Sequence, residues 1–431
     1  MPRVMELKAA LGTEKARSLF RTLYGVKPGV VEAQIARYAG LLDSFTDAFP
    51  ADGDIAFYST PGRTEVGGNH TDHNAGRVLA AAVDLDVAAV AARTPEPRIV
   101  IESEGYPRHS VEIRDLEARE SERYTSIALT RGVCARFRQL GYAVGGFNAC
   151  MASRVLKGSG LSSSAAYEVM VATILNQLYN AGNIPDVEIA QISQFSENNF
   201  FGKPCGLMDQ TTCQVGGFVI IDFRDFARPI VRKVDNDFSA SGYALVIVDT
   251  GGSHADLTDD YTALENEMKS VAHALGGNVL REFSRERLLA EIPLLRRRLQ
   301  NDRAILRALH FYDDDRRVVE QVNALENQDF PRFLNLVVES GRSSWMLSQN
   351  CYSHKAIPEQ GISVALAMSE NLLRGRGAWR VHGGGFAGTI QAFVPGGLTA
   401  EYAHAMRKVF GEGSCHELMI RPLGSLRLEI V

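Results

Sequence analysis

Lys157-Gly158-Ser159-Gly160-Leu161-Ser162-Ser163-Ser164-Ala165-Ala166 stands directly ahead of a run in which Val171, Ile174, Leu175 and Leu178 share one helical face. Gly158 and Gly160 lack a Cβ, so the backbone there can turn tightly and bring its N–H groups against a ligand. A helix expected to begin near Ser163 adds unsatisfied N–H groups and the positive end of its dipole, and both attract an anion. The serine hydroxyls can donate to phosphate or ligate a hard cation such as Mg²⁺. Two readings stand side by side. One is a phosphate cradle; the other is a helix N-cap behind a turn, because Ser caps helices and Gly forms turns. No Gly-Lys-Ser/Thr follows a four-residue spacer, so this is not a Walker A loop. A nucleotide here would be held by backbone and helix end, without that loop's lysine.

The chain has 431 residues, enough for one large or two moderate domains with real cores. At 45% hydrophobic and 23% charged it reads as an ordinary soluble globular protein. A net charge of −5 argues against a nucleic-acid surface, which needs a basic stripe. The most apolar window, 78–92, is interrupted by Asp84 and Asp86 and is too short to span a membrane. No basic segment followed by an apolar run opens the sequence, as a secretion signal would. The cysteines Cys134, Cys150, Cys205, Cys213, Cys351 and Cys415 are scattered, with no CxxC pair and no zinc-type spacing. The expectation is a cytoplasmic protein with reduced thiols.

Upstream of the serine stretch, residues 4–48 carry a helical pattern broken at Pro28 and Gly29. A short strand over 55–59 leads into Pro61-Gly62-Arg63-Thr64-Glu65-Val66-Gly67-Gly68-Asn69-His70-Thr71-Asp72-His73-Asn74-Ala75-Gly76. That segment reads as too polar for a core and too rich in chemistry for a linker. Asn69, His70 and Asp72 can together read several sugar hydroxyls, and Arg63 can neutralise a phosphoryl group or keep a carboxylate charged. His70, Asp72 and His73 are a weak zinc pattern, and a solvated turn is the plain alternative. Strands are expected over 78–92, 99–102 and 111–113, and a helix over 125–140.

Downstream, a helix over about 187–199 contains Glu197, an ordinary solvated charge by default. Asp209 is different. It stands among Cys205, Leu207, Met208 and Cys213, and an acid in an apolar stretch tends to be paired or functional. Strands over 218–223 and 244–249 precede a polar loop holding His254 and Tyr261, and 261–372 is helical in pattern. His382-Gly383-Gly384-Gly385-Phe386-Ala387-Gly388 then leads into a strand over 389–394; such a glycine density suits a packed, close backbone approach. The pattern predicts two α+β lobes, 1–215 and 216–431, divided at the glycines 216 and 217.

The order of these signals resembles the galactokinase family of the GHMP kinase superfamily. Pro61-Gly62-Arg63 with Gly68 through Asn74 and Gly76 is similar to the galactokinase signature. The run Gly158 to Ala165 is similar to the superfamily's phosphate loop, and Gly383 to Gly388 to its C-terminal glycine loop. Glu197 and the segment Cys205-Gly206-Leu207-Met208-Asp209-Gln210 look like the family's glutamate and catalytic aspartate. The resemblance covers about residues 55 to 395. It implies a two-lobed α+β fold with mixed sheets, an active site in the cleft, and phosphorylation of a sugar's anomeric hydroxyl using ATP and Mg²⁺. Asp209 would face that hydroxyl, as base or as late proton acceptor, with Arg63 keeping it ionised. Gly158, Ser159, Gly160, Leu161, Ser162, Ser163 and Ser164 would bind ATP, and Ser163 or Ser164 with Glu197 would hold Mg²⁺. Asn69, His70, Asp72, Gly206 and Tyr261 would line the sugar pocket. The partners implied are a sugar and ATP, with no nucleic acid or membrane; a monomer is compatible with all of this.

Two departures fall in the sugar motif. Galactokinases usually have glutamate where this chain has Asn69 and tyrosine where it has His73. The amide can still accept a bond from a C6 hydroxyl, but it removes a negative charge, and His73 can add a positive one. A pocket so altered would tolerate a C6 carboxylate, so galacturonate is a rival to galactose, with an Arg or Lys expected nearby. Leu156 replaces the usual proline, and Thr64 to Gly67 replace Val-Asn-Leu-Ile without an assigned consequence. A GHMP kinase for a non-sugar alcohol would not need the His70-Thr71-Asp72 cluster. A non-catalytic sugar- and ATP-binding regulator would not need Arg63, Asp209, Glu197 and the serine loop together.

Overall fold

Small and β-branched residues dominate 78–92, and that composition suits a strand covered on both faces. The computed structural model describes residues 2–50, 53–156, 160–252 and 257–431, and in it this run is the 17-residue strand Arg77–Arg93. It forms a long antiparallel hairpin with Ala56–Gly67, from Ala56 opposite Ala91 to Gly67 opposite Leu79. Register shifts at Pro61/Arg63 and Glu65/Gly67 bend the hairpin.

The larger sheet is built on that hairpin. Its path runs Leu426–Arg427, Ala56–Gly67, Arg77–Arg93, Phe147–Ser153, Arg98–Ser103, His109–Glu112. The other half of Arg77–Arg93 pairs with Phe218–Asp222, which carries Ile230–Val234 on its far edge. Alternation places Ala56, Tyr58, Ala89 and Ala91 on one face with the helices Ser126–Gln139, Ser163–Tyr179 and Asp186–Ser196. Phe57, Ala88, Val90 and Ala92 face the opposite way, onto Glu14–Tyr24 and Val30–Ala48. A smaller antiparallel sheet, Cys415–Leu418, Tyr243–Asp249, Thr389–Pro395, Ala378–Val381, is covered by Gly361–Leu373 and Thr399–Phe410. The helix Asp302–Glu326 packs against both strands of the hairpin and brings the two lobes together. No helix among the described residues is long and apolar enough to cross a membrane.

One expectation changes. The strand expected over 55–59 runs on through Pro61 and Arg63 to Gly67, and all twelve residues are buried. The polar segment is therefore interior backbone, tolerable because its charges are paired. Phe218–Asp222, Ile230–Val234 and Leu426–Arg427, which follow residue 216, belong to the larger sheet. Gly216 and Gly217 mark a close approach: a Cβ on Gly216, at φ +76°, would lie 2.1 Å from the Gly424 nitrogen.

Candidate active site

The end of Ala56–Gly67 delivers Arg63 into the interior, where its guanidinium forks onto Asp209: Nε donates to Oδ1 at 2.6 Å and Nη2 to Oδ2 at 2.7 Å. Asp209 comes from the first turn of Met208–Val215. The remaining Arg63 nitrogen, Nη1, donates to the Gly160 carbonyl, and Ser162 Oγ donates to Asp209 Oδ2. Burial pushes the Asp209 carboxyl up, yet the charge and hydrogen bond of Arg63, the Ser162 hydroxyl and the Lys203 charge together outweigh it and hold the group below the usual aspartate range. A two-toothed arginine fits a carboxylate in a way a point charge cannot.

Ser162 has φ +57°, in the left-handed region, and its hydroxyl is turned away from the helix Ser163–Tyr179 that follows. That helix has no side-chain cap, so its first N–H groups remain for an anion. Ser164 Oγ donates to Glu197 Oε1 at 2.9 Å, from the first turn of the same helix to the π-helical turn Glu197–Phe201. Glu197 Oε2 accepts from Gln210 Nε2 at 2.9 Å and from Cys205 Sγ at 3.3 Å. Glu197 is buried, so the solvated-charge reading gives way; burial raises its carboxyl. Glu168, one turn beyond Ser164 and fully buried, accepts from Gln210 at 3.3 Å, and burial raises its carboxyl strongly. Gly158 and Ser159, and also His254, lie outside the described residues.

The sugar motif is divided. Asp72 meets Gly206, three residues before Asp209: a Cβ on Gly206 would stand 2.7 Å from Asp72 Oδ2. His70 and Tyr261 instead reach the glycine loop, His70 Nε2 to the Gly384 carbonyl at 2.9 Å and Tyr261 OH to the Gly385 carbonyl at 3.0 Å. Facing a carbonyl, His70 Nε2 must carry the ring proton, which leaves Nδ1 as an acceptor. Burial, then the neighbouring His73, lowers the His70 pKa to about 3, so the ring is neutral. Burial raises the Tyr261 hydroxyl to about 12. His73 lies 3.7 Å from Asp72 Oδ1 and 3.9 Å from Glu265 Oε2. Among the described residues no group of three or more His, Cys, Asp or Glu is placed to hold a metal.

Asn69 is fully buried, and its side chain donates to Glu65 and the Gly383 carbonyl and accepts from Ser344 and Asn350. The serine loop closes the ring of contacts: a Cβ on Gly160, at φ +72°, would lie 3.0 Å from His382 Nδ1 at the head of the glycine loop. Leu161 accepts the Arg63 backbone N–H at 3.2 Å. Sequence reasoning missed Glu65, Glu168, Gln210 and Arg380. Of these, Gln210 had a signal in the sequence, its place beside Asp209.

Comparisons with known proteins bear on the family and the fold. The family profile described as "GHMP kinases N terminal domain" matches residues 128–217, and the "Galactokinase galactose-binding signature" matches residues 43–93. A galactokinase of Streptomyces coelicolor is 30% identical over 341 residues, 78% of this chain and 84% of its own length. One from Streptomyces lividans is 30% identical over 357 residues, 81% and 84%. The structure of Lactococcus lactis galactokinase complexed with galactose matches with a TM-score of 0.77 at 22% identity, covering 91% of this chain and 100% of that one. Methanococcus jannaschii mevalonate kinase matches at 0.60 and 14%, covering 86% and 99%. These structures share the two-lobed α+β fold.

Proposed function

This chain belongs to the galactokinase family, and on that premise we propose that it transfers the γ-phosphoryl group of ATP to the anomeric hydroxyl of galactose. The observation that carries the reading is the Arg63–Asp209 fork beside an uncapped helix end. Asp209 Oδ2 is taken by Arg63 and Ser162, whereas among the described residues Oδ1 accepts only from Arg63 Nε and keeps a lone pair for the sugar hydroxyl. In the reaction the C1 oxygen bonds to the γ-phosphorus, the bond to the β–γ bridging oxygen breaks, and the hydroxyl proton passes to Asp209. An aspartate held this acidic takes the proton late, which suits a loose phosphoryl transition state that needs positioning and charge neutralisation. Arg63 offsets charge on both.

The donor set fits Mg²⁺. A hydroxyl and a buried carboxylate already meet at Ser164 and Glu197, and Mg²⁺ is commonly held by one carboxylate with phosphate oxygens. Bound there by Ser164 and Glu197, with Ser163 alongside, Mg²⁺ would neutralise the β- and γ-phosphate oxygens. The backbone of Gly160, Leu161 and Ser162 and the N–H groups of Ser163–Tyr179 would take the phosphates, with Gly158 and Ser159 in the same loop.

Asp72, His70 Nδ1 and Asp209 Oδ1 are acceptors, and acceptors match a polyhydroxyl substrate. That set supports galactose over galacturonate, because a neutral imidazole and two carboxylates offer a C6 carboxylate no hydrogen. The partners proposed are therefore galactose and ATP, in the cytoplasm. The test is a coupled ADP-release assay with both sugars. Galactose is expected to win in kcat/KM by more than about tenfold, roughly 1.4 kcal/mol. A like preference for galacturonate would overturn the substrate, and galactose-dependent turnover surviving Asp209→Asn would overturn the role of Asp209.

A further inference from the structure

The most completely hydrogen-bonded side chain in the sugar motif does not point to a sugar. Asn69 Nδ2 donates to Glu65 Oε1 at 2.9 Å and to the Gly383 carbonyl at 2.8 Å. Its Oδ1 accepts from Asn350 Nδ2 at 2.9 Å and Ser344 Oγ at 3.2 Å. A carboxamide offers two N–H donors and two lone pairs, so this one is full. Its backbone is tied as well, the N–H to Asp314 Oδ2 at 2.8 Å and the carbonyl to His310 Nε2 at 2.9 Å. Glu65 in turn accepts from Arg380 Nη2 at 2.7 Å, with the arginine wholly buried.

What this node holds is a row of carbonyls. Gly383 is held by Asn69, Gly384 by His70 and Asn350, and Gly385 by Tyr261. Asn350 also accepts the Phe386 backbone N–H at 2.6 Å. The fit is close: a Cβ on Gly384 would lie 2.4 Å from the Tyr261 ring, and one on Gly385 2.1 Å from the Asn350 carbonyl. Any shift of Asn69 is therefore transmitted to the residues that stand on the loop.

We propose that Glu65, Asn69 and Arg380 form one positioning unit that sets the glycine loop 383–385, and through it His70 and Tyr261, while Asn69 itself touches no substrate. The altered residue of the sugar motif is thus a fastening of the loop, and the C6 group is read elsewhere. Glu65 and Asn69 act as a pair: carboxylate and amide must differ for their bond to form, whichever position carries which.

The test compares Asn69→Asp, Glu65→Gln and the double variant E65Q/N69D, which keeps the net charge and reverses the bond. Each single change is expected to lower galactose kcat/KM about 100-fold, mostly through KM, the scale of a misplaced binding group. The galactose-to-galacturonate ratio should stay within about tenfold of its starting value, and the double variant should recover at least about tenfold over either single. Hydrogen–deuterium exchange of the peptide covering 382–388, in the unliganded protein, should quicken in the singles and slow part of the way back in the double, where the 65–69 bond returns but the carboxylate at 69 has no N–H for the Gly383 carbonyl. A ratio moved by more than about tenfold in Asn69→Asp would mean that Asn69 contacts the sugar and would overturn the proposal. Additive losses with unchanged exchange at 382–388 would overturn it too. If Asn69→Asp yields no folded protein, Asn350→Ala breaks the same fastening without adding charge and carries the same expectations. The kinetic arm rests on the galactokinase reading; the exchange arm does not, so wild-type protein inactive on both sugars would sink that reading and leave this one decidable.

Discussion

Two arginine–carboxylate pairs stand two residues apart on the strand Ala56–Gly67, and they are opposites. Arg63 meets Asp209 with the carboxylate side chain 24% exposed; Arg380 meets Glu65 with the two side chains 0% and 8% exposed. Asp209 keeps an oxygen lone pair for a ligand, whereas Glu65 Oε1 receives both Arg380 and Asn69. The open pair can change partners during a reaction. The sealed pair cannot, because a buried charge that loses its counter-charge is costly whatever else happens. Access to solvent separates them.

The sharpest way to break the contrast is Asp209→Asn. We expect kcat to fall by about 10³-fold, within the usual range for a lost proton acceptor, with the fold retained by circular dichroism; a loss under tenfold would put Asp209 on the sealed side. Arg63→Lys keeps charge but loses the fork, and kcat/KM should drop about 100-fold in the coupled assay. Glu65→Gln, besides its effect on KM, should cost stability. Leaving Arg380 without its carboxylate is expected to cost about 3 kcal/mol by denaturant titration, more than Asp209→Asn costs; the reverse order would erase the distinction. Ser162→Ala removes one donor from Asp209 Oδ2 and should change kcat/KM only about tenfold.

The smallest effect is in pH. Arg63 holds the Asp209 carboxyl below its ordinary value near 3.9, so its contribution to stability is full above that pH and fades as pH falls through the lowered value. The difference in thermal midpoint between wild type and Asp209→Asn should therefore narrow below about pH 4. A difference that widens there would mean the carboxyl is not held down.

Helices such as Ser163–Tyr179 were legible because their apolar residues recur at helical spacing, and the serine loop because glycine and serine are chemically explicit. Asp209 stood out as an acid in apolar company, and Arg63 as a cation in a polar segment rich in chemistry. Glu65 did not, since every residue of Ala56–Gly67 is buried and alternation then carries no inside-versus-outside signal. Asn69 was readable as a polar residue but not as a satisfied one. Its partners Ser344 and Gly383 lie 275 and 314 residues along the chain, beyond any local pattern. Gly216 and Gly217 suggested a linker, yet they let the segment around Gly424 pass close by.

That segment has a consequence for biosynthesis. Leu426–Arg427 pairs with Tyr58 and Ser59, Ser425 Oγ reaches Thr60 and Thr173, and Arg421 donates to Ser59 Oγ. Ser425 follows Thr60 by 365 residues, so at about 5–20 residues per second a ribosome needs roughly 20 to 70 seconds between the two. Throughout that interval the outer edge of Ala56–Gly67 has unpaired N–H and C=O groups, a template for any extended segment of another nascent chain. The arginine that forks onto Asp209 is thus carried on the strand that is completed last, and crowded polysomes are where this protein is most exposed to mispairing.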